Sequence, residues 1–156
     1  MSNCENSCSD EFEPKCIRRC PSITLLEAVA IIPQIVAAGL AVPFDANLAS
    51  FGNGIVHIPG TTDFNLVQPG IYKVTFTGSV TAAALITNAA VAIAINGAII
   101  PGTTVSETVV AAATAGLTTQ LVVQVSPCIN TILTIVNPTA NTEIFTNPNV
   151  IIQRIG

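Results

Sequence analysis

The sequence predicts an all-β fold, a sandwich or barrel of many short strands, and three observations carry that reading. From Gly70 to Val80 the residues alternate: Tyr72, Val74, Phe76, Gly78 and Val80 share one face, and Lys73, Thr75, Thr77 and Ser79 share the other. A period of two, rich in β-branched and aromatic residues, is a strand with one buried face. After Asn47 the chain falls into short apolar runs cut by Gly, Pro, Asn and Thr, with no sustained helical periodicity. Between two such runs stands Asn96-Gly97, a hairpin signal, because a type I′ turn needs two residues that tolerate positive φ.

Composition narrows the class. The chain has 156 residues, enough for one domain and an appendage. Half of them are hydrophobic, only 9% are charged and the mean hydropathy is +0.66, against about 25% charged in a typical soluble domain. A surface with so few charges points to an assembling or unusually resistant protein. Beyond residue 20 the only cations are Lys73 and Arg154, opposed by Glu27, Asp45, Asp63, Glu107 and Glu143. That leaves no basic patch for nucleic acid. The longest apolar run, Ile23 to Phe44, is broken by Glu27, Pro33, Gln34 and Pro43, whereas a spanning helix needs about 20 mostly apolar residues. No membrane span is expected. A signal peptide is not expected either: the region before that run is long, acidic and holds four cysteines, and Glu27 and Pro33 spoil the apolar core.

Residues 1–20 are polar and charged, and carry Cys4, Cys8, Cys16 and Cys20 as two C-x3-C pairs. Structural zinc knuckles use C-x2-C or wider paired spacings, and no histidine lies nearby, so disulfides are the stronger reading. The fifth cysteine, Cys128, stands beside Pro127 at a turn. An odd cysteine suggests an intermolecular bond, and such bonds need an oxidising setting. Cys4, Cys8, Cys16, Cys20 and Cys128 are therefore the candidate inter-subunit cross-links. The bland alternative keeps the tail thiols free and Cys128 as a small buried hydrophobe.

Residues 21–46 read as an apolar connector, which is odd for a linker. Its hydrophobic side chains must pack somewhere. One option is this chain's own domain, through a short helix from about Leu25 to Ile31 stopped by Pro33 and followed by the first strand. The other is a neighbouring subunit, with Ile23, Leu25, Leu26, Ile31, Ile32, Ile35 and Val36 forming an inter-subunit arm.

Residues 47–156 form the β-body. Candidate strands lie at about 48–51, 55–58, 63–67, 71–81, 90–96, 98–100, 105–113, 119–126, 130–137, 143–146 and 149–155. Turns fall at Pro69-Gly70, Asn96-Gly97, Pro101-Gly102, Asn137 to Asn141 and Asn147-Pro148-Asn149.

Within this body Pro69-Gly70-Ile71-Tyr72-Lys73-Val74-Thr75-Phe76 resembles the PGxYxVxF strand of the C1q/TNF-like jelly-roll superfamily. Ala92-Ile93-Ala94-Ile95-Asn96-Gly97 resembles its NG hairpin, with Ile93 in place of Leu. Thr131 to Asn137 and the terminal Val150 to Gly156 extend the likeness, which is strongest to the C-terminal domains of bacterial spore-surface glycoproteins of the BclA type. The resemblance implies a jelly-roll homotrimer whose subunits meet along apolar faces near a threefold axis. The Gly-X-Y repeats that usually precede this domain are missing here, so a stalked filament is not implied.

No catalytic or cofactor constellation stands out. His57 is the sole histidine, and the alternation Val56-His57-Ile58 is expected to put it toward solvent or a subunit contact. Asp63, Glu107 and Glu143 each adjoin a Thr, as solvated strand ends do. Some C1q-like trimers bind calcium through loop carboxylates, so Asp63 is a conceivable metal ligand without a cluster to support it. No phosphate loop precedes a helix. The expected function is a structural, self-assembling subunit of a bacterial spore surface, in the exosporium, coat or an appendage fibre. It would partner with itself and with other spore coat or exosporium proteins, and need no cofactor. The alternatives are a ligand- or carbohydrate-binding C1q-like trimer and an anchor tying another fibre to the coat.

Overall fold

Strand β6 (Gly70–Ala82) is the axis of the computed structural model, which describes residues 23–82, 86–110 and 113–156. As its alternation predicts, Tyr72, Val74, Phe76 and Val80 are buried while Ile71, Lys73 and Thr77 are exposed. Around it run β1 (Leu25–Val29), β2 (Gln34–Val36), β3 (Ala46–Phe51), β4 (Ile55–Val56) and β5 (Phe64–Leu66). After it come β7 (Ile86–Ile95), β8 (Ala98–Ile99), β9 (Val105–Val110), β10 (Thr114–Val125), β11 (Thr131–Val136) and β12 (Glu143–Arg154). Every regular element among the described residues is a strand, and every strand pairing is antiparallel.

The strands form two sheets. One has the order β10-β6-β12-β1-β3, with β2 added to β12; the other has β4-β5-β11-β7-β8, with β9 added to β7. Their inner faces share one core, in which Leu26, Tyr72, Val74, Phe76, Phe145 and Ile152 meet Phe64, Leu66, Ile93, Leu133 and Ile135. Burying each such side chain contributes about 1.5–3 kcal/mol, enough to hold the sheets together without charge pairs. The Asn96-Gly97 turn forms as expected, with φ of 49° and 82°.

The structure departs from the sequence reading in several places. The helix considered from Leu25 to Ile31 is strand β1. Leu26, Ala28 and Ala30 are buried and Leu25, Glu27 and Val29 half-buried, a period of two that helix-forming residue types conceal. The sandwich thus begins at Leu25, inside the stretch expected to be a connector, and β1 lies between β12 and β3. The two strands expected at 143–146 and 149–155 are one, β12, whose register shifts between Thr146 and Asn149. A bulge at that shift lets Pro148 sit in the strand without a missing ladder donor. Gly52 (φ 75°) is required where it stands, because a Cβ there would lie 2.5 Å from the Ile23 carbonyl oxygen.

One end of the sandwich collects both ends of the described chain. Val125 faces Gly70 across β10 and β6. Ile71 N–H donates to Gly156 O at 2.8 Å and Arg154 N–H to Thr24 O at 3.0 Å. We refer to this as the Gly70 end, and to the opposite one, where β11 turns into β12, as the Glu143 end.

Candidate functional site

Three features stand out: a lightly charged outer face with exposed apolar side chains, a buried histidine clamp and a polar centre at the Glu143 end. The outer face belongs to the sheet β10-β6-β12-β1-β3, where every second residue points away from the core. One cross-strand row holds Val122, Lys73, Gln153, Leu25 and Phe51; the next holds Gln120, Thr75, Ile151, Glu27 and Ala49. Phe51 is 63% exposed and Val122 60%, and Ile71 and Ile151 are also exposed. The charges in these rows are Lys73 and Glu27, and the Glu27 carboxylate accepts the Asn149 amide N–H at 2.7 Å.

The proposed arm residues divide. Leu26 and Val36 lie in this chain's own core, and Leu25 is half-buried in β1. Ile23, Ile31, Ile32 and Ile35 are exposed. Of the cysteines, Cys4, Cys8, Cys16 and Cys20 fall outside the described residues. Cys128 is a free, exposed thiol in the turn after β10, with φ of 65°, which corrects the reading of it as a small buried hydrophobe. It lies at the Gly70 end, as does Ile23, where the described chain starts.

His57 corrects an expectation. It is only 7% exposed, because Ile55 and His57 are the inward pair of this stretch while Val56 and Ile58 face out. Its ring stacks on Phe64, with centroids 4.3 Å apart, and meets Phe44 edge-on. Nδ1 lies 2.6 Å from Asn47 Oδ1, and Nε2 lies 3.1 Å from Thr61 O. Asn47 is held by its own amide N–H to His57 O at 3.1 Å. Both ring nitrogens thus face oxygens, and a neutral imidazole can donate to only one of them. Burial nevertheless pulls the pKa down, outweighing the Thr61 carbonyl and the Asp63 charge, which pull it up. The clamp ties β3 to the loop before β5.

Glu143 corrects another expectation. Instead of a solvated strand end it is a fully buried carboxyl. Its Oε1 accepts the Ala90 N–H at 2.9 Å, linking β12 to β7 in the opposite sheet, while Oε2 has no hydrogen-bond partner. Burial pushes its pKa up to about 7 against weaker downward pulls from Ala90 N–H and the Thr139 hydroxyl. That hydroxyl is engaged with Asn137 Oδ1 at 2.7 Å and Asn141 O at 3.0 Å. Asn137, also buried, donates from Nδ2 to Val36 O at 3.1 Å and Asn141 O at 2.8 Å. A cleft of about 320 Å³ adjoins this centre, lined among others by Asn88, Ala90, Ser106 and Thr139.

The sequence contained a signal for both buried groups. Glu143 is in phase with Phe145, and His57 with Ile55, so each shares the inward side with that neighbour. Asp63 stands apart from them: it is exposed, accepts the Thr62 hydroxyl at 2.8 Å, and belongs to no group of three His, Cys, Asp or Glu side chains among the described residues. No helix among those residues is long and apolar enough to cross a membrane.

No protein-family model and no curated protein matches the sequence. Solved structures do match the fold. Murine APRIL, crystallised at pH 5.0, superposes with a TM-score of 0.61 at 11% identity, covering 85% of this chain and 99% of that one. The globular domain of zebrafish complement 1qA protein gives 0.57 at 10% identity, covering 85% and 95%. PRD1 vertex protein P5 gives 0.50 at 16% identity, covering 88% and 100%. At such identities the likeness is one of fold: the chain is an all-β, C1q/TNF-like jelly-roll sandwich.

Proposed function

We propose that this protein is a structural, self-assembling subunit of a bacterial spore surface, in which jelly-roll trimers are joined through N-terminal segments and disulfides. The observation that carries the reading is the outer face of the β6 sheet. Phe51, Ile71, Ile151 and Val122 are exposed on a lightly charged sheet face among Thr and Gln, and exposed apolar side chains gathered on one face mark association sites. Packing that face against two other copies gives the trimer.

Linkage between trimers falls in this reading to residues 1–22, because Leu26 and Val36 pack within their own subunit. Cys128 is an exposed thiol at the end where residue 23 emerges, and so is available to a tail cysteine of a neighbour. A contact of this kind that does not close on itself generates a filament. The spore setting rests on the sequence resemblance and on thiols that need an oxidising exterior.

Negative-stain electron microscopy of the full-length protein, with and without reductant, tests the proposal. Filaments that loosen in reductant support it. Isolated single particles in both samples overturn it.

A further inference from the structure

The segment Gln34–Leu40 crosses the Glu143 end as a strap. Its strand, β2, is three residues long and pairs only with the start of β12, Val36 facing Glu143 and Ile35 facing Ile144. Asn137 supplies most of the remaining links. Its side chain donates to Val36 O, its carbonyl accepts Gly39 N–H at 3.0 Å and its N–H donates to Leu40 O at 2.9 Å. Only Val36 of this segment is buried; Ile35, Ala37, Ala38, Gly39 and Leu40 are exposed. So few buried contacts put the strap at the low-stability end of the fold.

Glu143 lies directly opposite Val36. An ionised carboxylate offers about four acceptor sites, and here a single backbone N–H meets them. No cation among the described residues compensates. β2, β7 and residues 137–142 hold no charged side chain, and Lys73 and Arg154 pair with residues at the Gly70 end. Glu107 on β9, opposite Ala89, is exposed and negative, and Asp45, which accepts from Gln34, is negative too. The neutral acid fits this place and the carboxylate does not.

We infer that Glu143 is a proton-operated latch for the strap 34–40. In its acid form it keeps the strap docked on β12. Ionised, it is stabilised by water that enters once the strap lifts. Lifting would bare the edge of β12 at Glu143–Phe145, an open ladder on which another extended segment could pair. The inference is independent of whether the protein forms trimers or fibres.

Hydrogen exchange on the full-length protein tests it, with protection factors for residues 34–40 corrected for intrinsic rates at about pH 5 and pH 8. Because opening gains up to tenfold per pH unit between the open and closed pKa values, protection of the strap should fall roughly 100-fold while β6 holds. Glu143→Gln, which keeps an acceptor for Ala90 N–H but cannot ionise, should abolish that dependence. An equal pH response in the variant, or none in the wild type, overturns the latch. If the variant does not fold, the wild-type Ala90 amide shift decides. It must titrate together with the strap, and a featureless titration overturns the inference.

Discussion

The imidazole of His57 lies flat on the ring of Phe64, 4.3 Å between centroids and 16° between planes, at the inner edge of β5. His57→Ala should therefore destabilise the fold by about 2–4 kcal/mol, as other large-to-small core changes do. His57→Phe keeps the stack but removes the one N–H that the neutral ring donates to Asn47 Oδ1 or Thr61 O, for a loss of about 1–3 kcal/mol. Urea melts of the two variants check the order.

The same histidine sets a pH dependence. Its folded pKa is below the ordinary value of 6.5, because burial disfavours the cation. Its contribution is therefore complete above pH 6.5 and declines as the pH falls toward the folded pKa. Melting temperatures of wild type and His57→Phe should diverge least in acid.

Glu143 acts in the opposite sense. Its folded pKa of about 7 exceeds the ordinary 4.5, so its contribution is complete below 4.5 and is lost as the pH rises to 7. The loss is at most about 3.5 kcal/mol, since one pKa unit is worth about 1.4 kcal/mol. Chemical denaturation of Glu143→Gln across that interval should show a flatter profile than the wild type.

Deleting residues 1–22 should leave a folded domain, whereas deleting residues 1–44 should not. The longer deletion removes β1, which pairs with both β12 and β3, and takes Leu26, Ala28, Val36, Val42 and Phe44 out of the core. Circular dichroism and thermal melts separate the two outcomes.

Phe51→Glu and Ile151→Glu put charge on the outer face without touching the core. Each should change monomer stability by less than about 1 kcal/mol. Self-association measured by light scattering should fall sharply, and unchanged particle mass in both variants would remove this face from the assembly.

Replacing Cys4, Cys8, Cys16 and Cys20 by Ser should leave the domain's melting unchanged. Resistance of assembled material to heat and denaturant should drop. Equal resistance would show that the tail thiols are not cross-links.

The fold was legible wherever one face of a strand meets solvent and the other the core, as in the Tyr72, Val74, Phe76 series. It was hidden where local propensity and tertiary pairing disagree. Leu25-Leu26-Glu27-Ala28 favours helix in isolation and becomes a strand because β12 and β3 flank it. The buried polar groups were hidden for a related reason: Glu143 and His57 carry the types expected at the surface, and only their phase with Phe145 and Ile55 places them inside. The outer face was foreseeable as low charge, but its rows depend on register, which alternation alone does not set.

The pairing of β1 with β12 also governs when the protein can fold. Leu25 meets Gln153, a separation of 128 residues (153 minus 25). On the ribosome the first strand is made long before its partner, and the sheet cannot close until β12 has emerged. Folding dominated by such distant pairings is slow. Until β12 arrives, β1 and β6 each lack the neighbour that lies between them, so the newly made chain passes through a period of aggregation risk. Arrival of β12, rather than any one strand's propensity, is the event that commits this molecule to its native sheet.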